Sequence, residues 1–417
     1  MTFVKLDLLI TPLLILHLVL LSACTPAKES AEVVSPLNLI LPLAGDPNQH
    51  KSIYVFLDGT LNDQKSQTNV WKTFQIVVGN ADPQTTALYI EGVGTTQNPL
   101  FGSALGVGME ERIQKGYEFI VKNYRAGDHV FIFGFSRGAH QARSLAGLLA
   151  YAGIPVVTEA NKDRLLTIAN DVLDLSKRKS DEESAYQAAW SSWSPNQQPV
   201  IAAEIKRTLG EAMIPVEIKF LGVWDTVPGS SFKKYGDCKE EIGFWKKWFH
   251  WLPIISPAER YKTGSYPAIH FIAHAVSLDE KRSKFNPILL CEPINSRFTQ
   301  TQEIWFPGAH ADVGGGYEDS HELSDISLEW MLKHLSARYQ FKQPIPTIQG
   351  SPRGLAHWSM ADKPANLGSE CIDRKIPKGA VIDPSAKIRE QSAPVPVLIN
   401  HEVEQKAYPL GCADITH

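Results

Sequence analysis

The chain is poor in the features that mark the simplest protein classes. Five cysteines in 417 residues are too few for a scaffold built on disulfides. No Cys-x-x-Cys pair, His-Glu-x-x-His motif or acidic calcium loop occurs, so neither a catalytic metal nor a cofactor is expected. The charge excess is small, a net −4, which gives no electrostatic case for nucleic acid as a partner. Internal repeats and low-complexity tracts are missing, and no apolar run reaches the roughly 20 residues that span a bilayer. What is present is core-forming material: 43% of residues are apolar and 21% charged, which excludes disorder. Length alone suggests two or three domains at about 150 residues each, although α/β enzymes of this size often form one.

The front end reads as an export signal. Leu8 to Leu21 is almost continuously apolar and ends at Leu21-Ser22-Ala23-Cys24, behind a thin positive region of Lys5 and the amino terminus. Small residues before a cysteine resemble a lipobox, so residues 1–23 are expected to be a signal peptide and Cys24 a lipidated mature N-terminus. Residues 24–50 then read as a linker. The other reading is a buried first helix. Thr25, rather than Asp, follows the cysteine. That favours the outer membrane, facing the periplasm, in a host with two membranes, and a lipid-anchored protein of the cell envelope in general. Cys238, Cys291, Cys371 and Cys412 remain, enough for two disulfides in any of three pairings or for four buried thiols.

Along the mature chain, Ser52–Leu57, Ala87–Glu91, His129–Gly134, Glu217–Trp224 and Glu303–Phe306 read as short buried strands. Helical stretches fall near Met109–Tyr124, Arg137–Tyr151 and Leu323–Tyr339. Strands alternating with helices predict an α/β fold, a mostly parallel sheet with helices on both faces. The catalytic domain is expected over 51–340, with a helical insertion near 155–212. Beyond it, 341–417 reads as a Pro-rich extension packed on the domain.

The sharpest local signal is Gly134-Phe135-Ser136-Arg137-Gly138, between an apolar strand and a helix. This is the setting of a nucleophile elbow, which makes Ser136 the candidate nucleophile. A serine needs a base and the base an orienting acid, in chain order Ser, Asp, His. Asp225 directly follows one strand and His310 stands just beyond another, so both lie where a parallel sheet gathers its site. His140, His270, His274 and His321 compete with His310, and His274 is the main rival. Asp58-Gly59-Thr60 closes an earlier strand and is placed to bind substrate or oxyanion, with the backbone N–H groups of Gly59 and Arg137 as donors. Asp-Gly-Thr-Leu also resembles the haloacid-dehalogenase phosphatases, but Phe56 stands where their nucleophilic aspartate belongs.

Taken together, FLDGTLN (56–62), EGVGT (91–95), GDHVFIFGFSRGAHQARSLAGLL (127–149), FLGVWDTVPGS (220–230), HAVSLDEKRSKFNP (274–287) and WFPGAHADVGGGY (305–317) resemble the bacterial type VI secretion phospholipase-effector-like family of α/β hydrolases. The resemblance implies a serine lipase or esterase acting through a Ser-Asp-His triad. It carries Ser136 as nucleophile, His310 as base and Asp225 as acid, with Asp312 the alternative acid because it too lies in a matching block. A lipobox departs from secreted effectors and favours a resident envelope enzyme. The expected partners are a lipid or ester substrate and the membrane reached through Cys24. A small-substrate carboxylesterase or deacetylase, and a non-catalytic lipoprotein keeping the fold, are the competing readings. Phe244 to Leu252, rich in tryptophan and lysine, reads either as a lipid-contacting flap or as a buried insertion.

Overall fold

The computed structural model describes residues 38–92, 94, 108–178, 188–228, 263–341, 344–361 and 368–415. The expected signal peptide, Cys24, Cys238 and the aromatic stretch 244–252 lie outside the described residues.

Thirteen strands and eight helices are described. In chain order they are β1 (Asn38–Leu41), β2 (Ser52–Leu57), α1 (Asn69–Gly79), β3 (Thr85–Ile90), α2 (Met109–Asn123), β4 (His129–Phe135) and α3 (Arg137–Ala152). Next come β5 (Ile154–Pro155), α4 (Leu165–Arg178), α5 (Ala202–Leu209), β6 (Met213–Ile214), β7 (Ile218–Trp224) and β8 (Phe271–Ser277). The chain continues through β9 (Gln300–Phe306), α6 (His310–Gly314), α7 (Glu322–Ser336), β10 (Ala356–His357), β11 (Val381–Ile382), α8 (Pro384–Gln391), β12 (Val395–Ile399) and β13 (Glu402–Lys406).

Eight strands form one sheet in the order β1-β3-β2-β4-β7-β8-β9-β11. Only β1 runs antiparallel, against β3; every other pairing in this sheet is parallel. The order turns at β2, which lies between β3 and β4, so the chain steps to one side and then to the other. Such a reversal opens a crevice at the strand C-termini, where α/β proteins bind their ligands.

Strand periodicity sorts the two faces. Ile53, Val55 and Leu57 point one way into an aliphatic layer with Ile132, Ile113 and Leu145. Tyr54 and Phe56 point the other way, into an aromatic layer with Phe131, Phe133, Phe74 and Met331. Tyr54 stacks on Phe131 at 4.5 Å and Phe56 on Phe133 at 5.1 Å between ring centroids. Each such ring buried contributes about 1.5–3 kcal/mol relative to an exposed one, so both faces must be covered. Helix α3 is Ala- and Leu-rich, free of proline, and buried throughout Gly138–Ala152. It therefore packs flat against the sheet.

The structure departs from the sequence reading at three places. β1 forms a sheet edge inside the stretch read as linker; its short apolar run pairs with β3, whereas Pro36 and Pro42 on either side make it look like linker. β8 was not expected as a strand, because His274 interrupts an otherwise apolar run. In the expected C-terminal extension, β11 adds to the main sheet beside β9 and β10-β12-β13 make a second small sheet. β5 and β6, on either side of α4 and α5, pair antiparallel. Cys371 and Cys412 form a disulfide, and Cys291 is disulfide-bonded as well.

Candidate active site

Two strained residues mark the strand ends. Ser136 has φ 59° and ψ −126° at the junction of β4 and α3, and Asp225 has φ 37° just after β7. Non-glycine residues seldom hold such backbones unless their surroundings force them, and they gather at functional sites. The flanking glycines are steric necessities. A Cβ on Gly138 would lie 2.2 Å from the Leu57 carbonyl oxygen, and one on Gly134 2.4 Å from that of Gly138. The turn is locked across the sheet by Ser136 N–H, which donates to Trp224 O at 3.0 Å.

The described residues bring three distant side chains together. Ser136 Oγ lies 2.7 Å from His310 Nε2, and His310 Nδ1 lies 2.5 Å from Asp225 Oδ2. His310 opens the short helix α6 beyond β9 and is wedged between Phe135, at 4.6 Å, and Phe285, at 5.0 Å edge-on. Its backbone N–H donates to Glu280 Oε2 at 3.2 Å. Asp225 is fully buried; Ser277 N–H donates to its Oδ1 at 2.9 Å, and Arg374 grips both oxygens at 2.6 and 2.9 Å.

Electrostatics sets the protonation states. Burial pushes Asp225 up, but the Arg374 charge and the hydrogen bonds from His310 and Arg374 outweigh it, and the carboxyl stays well below the ordinary range. Burial lowers the pKa of His310, which Asp225 and Glu280 only partly oppose. Burial raises Glu280, yet Arg282 beside it brings it down to about 2. A neutral imidazole between an ionised acid and a hydroxyl can take a proton from that hydroxyl.

The competing assignments separate cleanly. His274 Nδ1 faces Glu303 at 2.9 Å while its Nε2 accepts from Thr226 N–H at 3.1 Å. His270 faces Glu217 at 2.9 Å. Asp312 meets His357 Nδ1 at 2.6 Å and accepts from the Ala309 and His357 N–H groups, both at 2.9 Å. It therefore braces the turn that leads into His310, and Asp225 is the acid that faces the ring.

One expectation needs correction. Gly59 N–H donates to Asp58 Oδ1 at 2.7 Å, so this candidate oxyanion donor is already engaged. Asp58 also accepts from Thr68 Oγ1 at 2.6 Å and Tyr89 Oη at 2.7 Å. Burial raises its pKa to about 6 against these bonds. Its carboxylate is buried and occupied by these internal bonds. Thr60 Oγ1, by contrast, is buried without a hydrogen-bond partner among the described residues. Arg137 begins α3, directly behind Ser136. Among the described residues no group of three or more His, Cys, Asp or Glu could hold a metal ion.

Sequence reasoning missed Arg374 and Glu280. Glu280 sits in the motif HAVSLDEKRSKFNP and could have been singled out there. Arg374 has no local signal, because its partner is 149 positions away.

A mostly parallel sheet with this strand order, an elbow serine and an imidazole held by an acid at the strand ends defines an α/β hydrolase fold. A family model described as the type VI secretion phospholipase effector Tle1-like catalytic domain matches residues 51–334, and the chain belongs to that family. It is 23% identical over 273 residues to the uncharacterized protein YEL023C of Saccharomyces cerevisiae, with 58% of this chain and 34% of the yeast protein covered. The chain thus spans about a third of that relative's length. Among solved structures, an uncharacterized Pseudomonas aeruginosa protein matches at TM-score 0.38 and 16% identity, covering 72% of this chain and 47% of that one. The Tle1 effector bound to the VgrG spike matches at TM-score 0.29 and 17% identity, covering 64% and 51%. The butyrate-bound esterase Est2 of Thermogutta terrifontis matches at TM-score 0.37 and 10% identity, covering 74% and 91%.

Proposed function

We propose that the protein hydrolyses carboxylic ester bonds of phospholipids or other lipids through a Ser136 acyl-enzyme. The observation that carries this reading is the continuous chain of contacts from Ser136 Oγ through His310 to Asp225. Membership of a phospholipase-effector family supports the substrate class.

In this mechanism His310 Nε2 takes the Ser136 proton as Oγ attacks the ester carbonyl carbon. Asp225 stabilises the imidazolium that forms and holds Nδ1–H toward itself. The Arg137 N–H, at the start of α3 and next to Ser136, is the first donor to the tetrahedral oxyanion. Because Gly59 N–H is committed to Asp58, the second donor in this reading is Thr60, whose hydroxyl has no partner among the described residues. Collapse expels the alcohol, which receives the proton from His310. Water activated by the same imidazole then releases the carboxylic acid and restores Ser136.

Lipidation at Cys24 would hold the enzyme on a membrane of the cell envelope, on the periplasmic face of the outer membrane where two exist. Replacing Cys24 with Ala is expected to release the activity from the membrane fraction.

The test of the central reading is a fluorophosphonate probe, followed by peptide mapping of the label. Labelling at Ser136, together with turnover of phospholipid vesicles over short-chain esters, is the expected result. Labelling with short-chain preference would replace the lipase reading by a small-substrate esterase. No labelling and no ester turnover would leave a non-catalytic protein.

A further inference from the structure

We propose that Arg374, which lies beyond the matched family domain, is a positioning residue that fixes the orientation and charge of Asp225, making the segment that carries it a working part of the hydrolase. This rests on the acyl-transfer reading above and deepens it.

The need for such a group follows from the surroundings of Asp225. The carboxylate is fully buried, and apart from Arg374 it receives one backbone N–H, from Ser277 at 2.9 Å, and the His310 ring at 2.5 Å. A buried carboxylate without a counter-charge is costly and draws a proton toward itself. Without that counter-charge the Asp225–His310 pair takes up an extra proton from solvent more readily, and once His310 rests as imidazolium it cannot accept from Ser136. Arg374 supplies the missing charge from the far side. Nη1 donates to Oδ1 at 2.6 Å and Nη2 to Oδ2 at 2.9 Å, a fork that matches the plane of the carboxylate.

The guanidinium is itself anchored. Nη1 also donates to Ser277 O at 2.7 Å and Nη2 to Phe285 O at 2.5 Å, which ties it to the end of β8 and to the loop that packs on His310. A lysine at this position has no such fork. The backbone is equally well held. Ile372 N–H donates to Lys281 O at 2.8 Å and Ser283 N–H to Glu370 O at 2.9 Å, with an antiparallel bridge between Arg282 and Cys371. Lys281 pairs with Asp373 at 2.7 Å, and the Cys371–Cys412 disulfide fastens the same stretch to a second turn. Residues 370–374 therefore enter the site as a clamped ribbon.

The other charged groups that face the pair are Glu280, whose Oε2 accepts from His310 N–H, and Arg282, which binds Glu280 at 2.8 Å. These two largely offset one another, so Arg374 is the cation that balances Asp225.

The experiment compares Arg374→Met, Arg374→Lys and Arg374→Ala with the wild-type full chain. It measures kcat and KM on a soluble ester across pH, the fluorophosphonate labelling rate, and the thermal midpoint. Arg374→Met is expected to lower kcat about 100-fold with KM within about twofold. Its acid limb should move up by about one pH unit, because losing the cation favours the imidazolium. Arg374→Lys should keep the wild-type limb and recover part of kcat. Millimolar guanidinium, but not urea, should restore Arg374→Ala severalfold.

An unmoved acid limb, or a rate loss that only tracks the loss of folded protein, would overturn the positioning role while wild-type labelling keeps the serine-hydrolase reading intact. Should Arg374→Met fail to fold, Arg374→Lys decides: reduced kcat at constant KM supports the role, and full activity overturns it. Absence of labelling in the wild type would instead defeat the underlying reading.

Discussion

Among the described residues two buried histidine–aspartate pairs stand out, and their surroundings push the two rings in opposite directions. In each, ring Nδ1 faces a carboxylate, Asp225 at 2.5 Å from His310 and Asp312 at 2.6 Å from His357. The difference lies at the other nitrogen. His310 Nε2 faces the Ser136 hydroxyl at 2.7 Å, whereas His357 Nε2 faces a second carboxylate, Asp319, at 2.9 Å. Burial lowers His357 as it lowers His310, but Asp312 and Asp319 outweigh it and the pKa ends up raised. Around His310 burial prevails and the pKa is lowered, while Arg374 absorbs much of the Asp225 charge. His357 is also covered by the Tyr317 ring, stacked at 3.5 Å. The pKa of an imidazole beside an aspartate is thus pushed down or up according to its third partner.

The most severe way to break this contrast is to remove the hydroxyl. Ser136→Ala is expected to reduce ester hydrolysis by on the order of 10⁴-fold or more, with the thermal midpoint unchanged. Retained turnover in purified protein would make His310 no more catalytic than His357. Next come the two acids. Asp225→Asn should cost about 10³- to 10⁴-fold in kcat. Asp312→Asn should cost less than about tenfold but lower the unfolding midpoint by several degrees, since it strips buried His357 of the carboxylate on its Nδ1. Equal losses in kcat would erase the distinction.

Replacing Thr60 by Val keeps the shape and removes the hydroxyl. If this group contacts the oxyanion, kcat should fall about 10- to 100-fold with KM nearly constant. A change in KM alone would move Thr60 to substrate binding.

The gentlest probe is pH. The acid limb of kcat/KM should have its midpoint below the ordinary histidine value of about 6.5, because a lowered pKa keeps His310 neutral further into acid. For His357 the sign is reversed. Its folded pKa lies above the unfolded one, so its stabilisation is complete below the unfolded value and fades as pH rises through the folded one. The midpoint difference between wild type and His357→Gln should therefore be largest in mild acid and shrink toward alkaline pH. A difference that grows with pH would contradict the raised pKa of His357.

Much of the frame could be read from the chain because its signals are local. β2 and β4 are continuous apolar runs ending in turn residues, and the elbow announces itself through glycines that leave no room for a Cβ. Position after a strand picked out Asp225 and His310. Other parts depend on partners remote in sequence. β8 escaped notice because His274 breaks its apolar run and finds Glu303 only on the neighbouring strand. Asp225 and Asp312 look equally eligible until His357, from β10, claims the second. Gly59 was a sound candidate donor by position, but the carboxylate of the preceding residue folds back onto its N–H, an arrangement that spacing does not reveal. Arg374 carried no signal at all, being one of several basic residues, with Lys375 and Lys378, in a proline-rich stretch.

The Arg374 clamp also bears on the order in which the protein is made. Translation completes the elbow, the acid and the imidazole by residue 310, and domains fold as they emerge. Until residue 374 has followed, the nascent chain holds a hydroxyl and a histidine beside an unbalanced carboxylate. On the proposed role of Arg374, ester hydrolysis would await the emergence of that arginine, a form of latency that needs no inhibitor.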